Sequence, residues 1–285
     1  MRFPEPYSPS DTAANRQHWH ARLSLGFTDD RGTTRLTERS HVGPLRVQKP
    51  LYPEQPSVCH AIVVHPPGGV VGGDQLAINC GVGDSAHALV TTPGAAKWYR
   101  ANGHVSRQDM TIHVGAGASL EWLPQETIFY KGADVALDTM VDLAADASFI
   151  TSDILCFGRT ASGESFDHGR VSQRVQVRRA GRLVWFEQGA LIGGDGGFAG
   201  PLGLNGHTVC ATLLAVGRPA GAACVQALRE AASDHFGVTQ MKSVLVARYI
   251  GDSSQDARRL MQRAWQVLRP ALLERDAVTP RIWQT

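Results

Sequence analysis

The chain has 285 residues, enough to bury a full core as one large domain or two small ones. Apolar residues make up 43% and charged residues 19%, a composition that excludes an intrinsically disordered chain. Lys+Arg 28 against Asp+Glu 26 leaves a formal net charge of +2, so no electrostatic footprint points to nucleic acid or an anionic membrane.

Residues 1–17 (MRFPEPYSPSDTAANRQ) read as a flexible lead without the apolar run of a secretory signal. Residues 18–285 read as a single domain, with a β body over 18–216 and an α/β part over 217–285. No segment reaches the roughly 18 apolar residues that a membrane helix needs. Five cysteines without a CxxC pair announce neither a disulfide framework nor a zinc site. A cytoplasmic protein is expected. Gly 30 and Pro 15 point to many short strands joined by turns.

A strand over residues 61–64 runs into His65-Pro66-Pro67-Gly68-Gly69-Val70-Val71-Gly72-Gly73-Asp74. This turn has no Lys-Ser/Thr pair and no following helix pattern, so it is not a P-loop. Gly68, Gly69, Gly72 and Gly73 permit close approach of a backbone or a ligand. Asp74 is a turn former or a functional carboxylate.

Alternating stretches such as residues 78–82 and 110–114 predict strands. Each leads into a copy of one pattern: small residues, an apolar anchor, a turn, then an aromatic-basic tail. The anchors Leu89, Leu120 and Phe149 are 31 and 29 positions apart, with a weaker fourth copy at Leu183, a further 34 on. The tails are Trp98-Tyr99-Arg100, Phe129-Tyr130-Lys131 and Phe157-Gly158-Arg159. A period near 30 built of strands predicts a mainly β fold of stacked, solenoid-like sheets. The residue four past each anchor is Pro93, Pro124, Asp153 and Glu187 in turn. Stacking in register sets Asp153 and Glu187 at equivalent corners about 5 Å apart, where a shared proton or a cation must relieve their repulsion. The alternative is that both face solvent from loops.

Farther on, residues 204–216 and 243–250 predict strands. A helix is expected over 221–236, with Val225, Leu228, Ala232 and Phe236 on one face. A second starts at a Ser253 or Ser254 cap and stops at Pro270.

The histidines are scattered, without the spacing of a tight metal site. Glu121 and Glu126 flank Trp122-Leu123-Pro124-Gln125. Alternation puts Glu121 on the face of Leu123, so one side of that strand is unusual. Arg159 is expected to pair with Glu164. No nucleophile motif is present. Two functions follow from the residues: a glycan-acting β-solenoid enzyme with Asp153 and Glu187 as acid and base, or a non-enzymatic scaffold whose carboxylates handle a cation.

Several long words resemble the urease accessory protein UreD (UreH in some bacteria) family. They include the His65 to Asp74 run, Gly43-Pro44-Leu45-Arg46-Val47-Gln48, Thr91-Thr92-Pro93-Gly94-Ala95-Ala96-Lys97 and Leu120-Glu121-Trp122-Leu123-Pro124-Gln125-Glu126. Gly158-Arg159, Gly163-Glu164, Arg248-Tyr249, Trp265 with Leu268-Arg269-Pro270, and Pro280-Arg281-Ile282-Trp283-Gln284-Thr285 extend the match over nearly all of the chain after residue 17. The resemblance implies stacked β-sheets with a small helical part, and no enzyme activity. It implies a scaffold that binds the urease apoprotein and joins it, through UreF, to UreG, which hydrolyses GTP as nickel is delivered. It implies no tightly bound cofactor, only transient Ni²⁺ in a water-filled passage. The carboxylates it carries over are Asp74, Asp153 and Glu187, with Glu121 and Glu126 beside them.

Overall fold

A computed structural model describes residues 18–230 and 235–284. The lead expected over residues 1–17 lies outside the described residues, as does Thr285 at the end of the PRIWQT word. Strand Gln75–Val82 is buried at every second position, as its alternation requires. It lies parallel to Ser106–Val114, which lies parallel to Asp134–Leu143, so that Ile78, Met110 and Thr139 form one row. The first sheet has seven strands in the order Arg182–Ile192, Arg170–Arg179, Asp134–Leu143, Ser106–Val114, Gln75–Val82, His20–Asp30, Thr33–Val42. Its five middle strands are parallel, and an antiparallel hairpin partner closes each end.

The second sheet faces the first. Its path runs Phe236–Met241, Val244–Gly251, Val209–Val216, Ser148–Arg159, Ser119–Leu123, His87–Thr91, Val58–Val64, Arg46–Val47. A third, short row unites the aromatic tails: Trp98 pairs with Phe129, and Phe129 with Phe157. Each coil thus visits the first sheet, the second and the short row, the solenoid-like stack that the repeat predicted. Two details of the repeat differ. The row in the second sheet is Ala88, Leu120, Phe149, so the first copy is one position out of step and Leu89 faces the opposite side. The fourth copy is not a coil: Leu183 lies in an antiparallel edge strand of the first sheet.

The core between the sheets includes Leu23, Ile112, Leu120 and Phe149. Strand His87–Thr91 is buried along its whole length because the second sheet is covered on both faces. Its outer cover comes from two helices, α2 (Ala222–Glu230) and α3 (Ser254–Leu273), whereas the single turn α1 (Gly196–Ala199) follows the edge strand Arg182–Ile192 and packs Phe198 against the core between the sheets. Helix α3 lays Ala257, Met261, Ala264, Trp265, Leu268 and Leu272 on that face, an apolar stripe at helical spacing. The Ser253 hydroxyl accepts from the Asp256 N–H at 3.1 Å and caps it. Pro270 does not end the helix. It sits inside the last turn, which closes at Glu274 in the left-handed conformation. Helix α2 is shorter than its pattern because Phe236 begins a strand; residues 231–234 lie outside the described residues. The strand expected over 204–216 starts only at Val209.

The glycine-rich turn packs against the next coil. A Cβ on Gly72 would lie 1.7 Å from the Ala101 carbonyl oxygen, and Gly73 has φ +92. Gly69 leaves room for the Tyr99 ring. The close approach that the glycines permit is therefore made by this chain's own backbone and side chains. Gly72→Ala is expected to cost about 3 kcal/mol by overpacking. Urea denaturation measures it, and an unchanged midpoint would contradict this packing role.

Candidate functional site

Beyond the last full coil the two sheets continue with different strands. The first adds the hairpin of Arg170–Arg179 and Arg182–Ile192, and the second adds Val209–Val216, Val244–Gly251 and Phe236–Met241. Residues facing the gap include Gly189, Ala190, Thr212 and Gly237, too small to fill it, and a cavity of about 670 Å³ remains. Asp153 and Glu187 both line it. They do not sit at equivalent corners of consecutive coils. Asp153 belongs to the second sheet and Glu187 to the edge strand of the first, so they approach the same cavity from opposite walls.

Each carboxylate is held by a residue of the opposing sheet. Gln173 Nε2 donates to Asp153 Oδ2 at 3.2 Å, and Arg248 Nη2 donates to Glu187 Oε1 at 2.7 Å. Asp153, Thr212 and Arg248 stand in one row across three adjacent strands. Burial pushes the Asp153 carboxyl up to about 6; the Gln173 hydrogen bond opposes the shift and the charge of Glu187 adds to it. Cys210 lines the same cavity, and burial, then Glu187, push its thiol up to about 12. The arrangement offers two carboxylates and space for water to an ion, with an amide and a guanidinium competing for the oxygens.

The other sequence-derived carboxylates lie elsewhere. Asp74 is buried at the end of the glycine-rich turn. Its Oδ1 accepts the Trp19 N–H at 2.9 Å and its Oδ2 the Val71 N–H at 3.1 Å, as a turn former does. Glu121 and Glu126 belong to the α3 side of the second sheet, because Leu120 and Trp122 take the inner face. Glu121 is fully buried and accepts from His87 Nε2 at 2.7 Å, Trp265 Nε1 at 2.5 Å and Arg269 Nε at 3.0 Å. Arg269 also reaches Glu54 at 2.8 Å, and His60 Nε2 meets the same carboxylate at 2.7 Å. Burial pushes Glu121 and Glu54 up, but the histidine and arginine interactions outweigh it and hold both below the usual carboxylate range. Glu126 accepts from Arg258 Nε at 2.7 Å. Arg159 pairs with Glu164 at 2.7 Å, as expected, and lies 4.5 Å from the Tyr130 ring centroid.

Gln173, Trp185 and Arg248 of the cavity, and Arg258, Trp265 and Arg269 of α3, were not assigned roles from sequence. Arg248-Tyr249 and Trp265 with Leu268-Arg269-Pro270 are among the words of the resemblance, which is the available signal for three of them. Among the described residues, no three His, Cys, Asp or Glu side chains are grouped so as to hold a metal ion, and no helix is long and apolar enough to cross a membrane.

A family model described as UreD urease accessory protein matches residues 20–284. The chain belongs to the UreD family. A protein of Janthinobacterium sp. (strain Marseille) named urease accessory protein UreD is 64% identical over 270 residues, covering 93% of this chain and 91% of that one. Relatives of the same name from Nitrosospira multiformis and Dechloromonas aromatica are 50% and 48% identical, covering 93% and 94% of this chain and 97% and 95% of theirs. The family gives the UreD chain an accessory part in urease maturation. Its words map onto the structure at both faces of the second sheet. Arg248 lines the cavity, while Trp283 of the terminal word donates from Nε1 to Thr91 Oγ1 at 2.8 Å beside α3.

Proposed function

We propose that this UreD chain is a non-enzymatic scaffold and nickel conduit of the cytoplasm. It binds the urease apoprotein and, with UreF and through it UreG, supports GTP-dependent insertion of nickel into the urease active site. GTP is bound by UreG and not by this chain. The observation that carries the conduit is the approach of Asp153 and Glu187 to one cavity from facing sheets.

A conduit must release what it holds. Clusters of imidazole or thiolate would trap Ni²⁺, which stands high in the affinity order, whereas carboxylates and water exchange. Two acidic side chains also offset the cost of bringing a divalent ion into protein. Asp153 and Glu187 are the ion-contacting pair in this reading. Asp74 and Glu121 act through the fold, since their oxygens are engaged by the turn and by α3, and Glu126 is tied to α3 through Oε1 alone, its Oε2 being buried without a hydrogen-bond partner among the described residues.

The double variant Asp153→Asn, Glu187→Gln is expected to fold and to enter the complex with UreF, while urease matured with it carries several-fold less nickel. Metal analysis of purified urease, with co-purification of UreF as the control, measures this. Full nickel content and full urease activation by the double variant would end the proposal.

A further inference from the structure

The Glu187 carboxylate already has a cation. Arg248 extends from strand Val244–Gly251, lines the cavity and pairs with Glu187 on the facing edge strand at 2.7 Å. Its guanidinium carbon lies 6.0 Å from the centroid of the Trp185 ring, which lines the same wall. The row Asp153, Thr212, Arg248 spans three strands, so the roots of Asp153 and Arg248 are about two strand spacings, ~10 Å, apart. A divalent ion bound between the two carboxylates would meet the guanidinium directly. The two positive charges cannot share Glu187 at close range.

The pair is built to open. The side chains of Arg248 and Glu187 are 52% and 33% exposed, so water screens their attraction, and an ion pair of that kind is weakly held. Gln173, by contrast, offers Asp153 a neutral amide, which an arriving cation displaces without charge repulsion.

We propose that Arg248 is a positioning residue, a resident counter-cation on Glu187 that a passing metal ion must displace, which keeps the cavity's grip on divalent ions low. This rests on the reading of the cavity as a cation passage. Arg248 releases Glu187 as the ion arrives and reclaims it as the ion leaves, so that departure is assisted by a waiting competitor.

Titration of the full chain with NiCl₂ by calorimetry tests this. Arg248→Gln is expected to bind Ni²⁺ about two- to fivefold more tightly than the parent. Arg248→Lys is expected to restore parental affinity, and Arg248→Gln in a Glu187→Gln background to gain nothing. A gain in affinity is not something a loosened fold produces. Parental affinity in Arg248→Gln, with weaker binding in Asp153→Asn, Glu187→Gln, would overturn the role of Arg248 and leave the passage standing. Unchanged Ni²⁺ binding in the carboxylate double variant would overturn both.

Discussion

Replacing Arg269 by alanine is expected to destabilise the protein by about 3–5 kcal/mol, the range for removing one partner of a buried ion pair. Its guanidinium is fully buried and bonds two carboxylates at once, Glu121 from the second sheet and Glu54 from the preceding loop. Without it those carboxylates stay beneath α3 with only His87, Trp265 and His60 as partners. The loss should depend on pH. Glu121 and Glu54 titrate below their usual range in the fold, so their contribution is present above the ordinary glutamate pKa of about 4.3 and fades as pH falls through the lowered values. The difference between parent and variant is therefore greatest near neutrality and shrinks in acid. Urea denaturation at pH 7.5 and pH 4 measures it. Equal midpoints at pH 7.5 would show that the pair holds nothing together.

The second large effect has the opposite sign. Asp153 is raised to about 6, above its ordinary value, so ionising it costs the folded state free energy. A raised carboxyl gives the fold its relative advantage at low pH and loses it as pH rises from about 4 to about 6. Asp153→Asn removes that cost while leaving Gln173 a carbonyl to bond. Stability is expected to rise by on the order of 2–3 kcal/mol at pH 7.5, with a melting temperature higher by roughly 5 °C. The gain should shrink toward pH 4. A variant that melts below the parent at pH 7.5 would contradict this account. Stability gained at the expense of nickel delivery is the pattern of a group kept for function.

The fold was legible where the pattern is local. Alternation at residues 78–82 and 110–114, and the three aromatic-basic tails, correspond to parallel rows of the solenoid. The slip at Leu89 arose because His87–Thr91 is apolar on both faces, so no alternation marks its register. Leu183 matches the anchor pattern but its strand belongs to the first sheet, whereas Leu120 and Phe149 lie in the second, a choice that sequence spacing does not encode. Phe236 continued a helical stripe by coincidence of spacing, and Pro270 is tolerated in the final turn of α3.

The sequence shows only part of the site. Asp153 and Glu187 share a cavity because two sheets diverge, not because two coils stack. The sequence marked Glu121 as unusual, since alternation set it with Leu123. Its partners His87, Trp265 and Arg269 lie 34, 144 and 148 positions away, and pairings of that range leave no local trace. Arg248 lies 61 positions from Glu187 and was hidden for the same reason.

Cys210 gives the cavity a further property. A sulfur atom stands beside Asp153 and Glu187, and in its ionised form it would be the strongest ligand on that wall for a borderline metal. Burial, and then the charge of Glu187, keep the proton on it well above physiological pH. If nickel takes this route, the thiol meets it carrying a proton, and sulfur can bind the ion only as that proton is released.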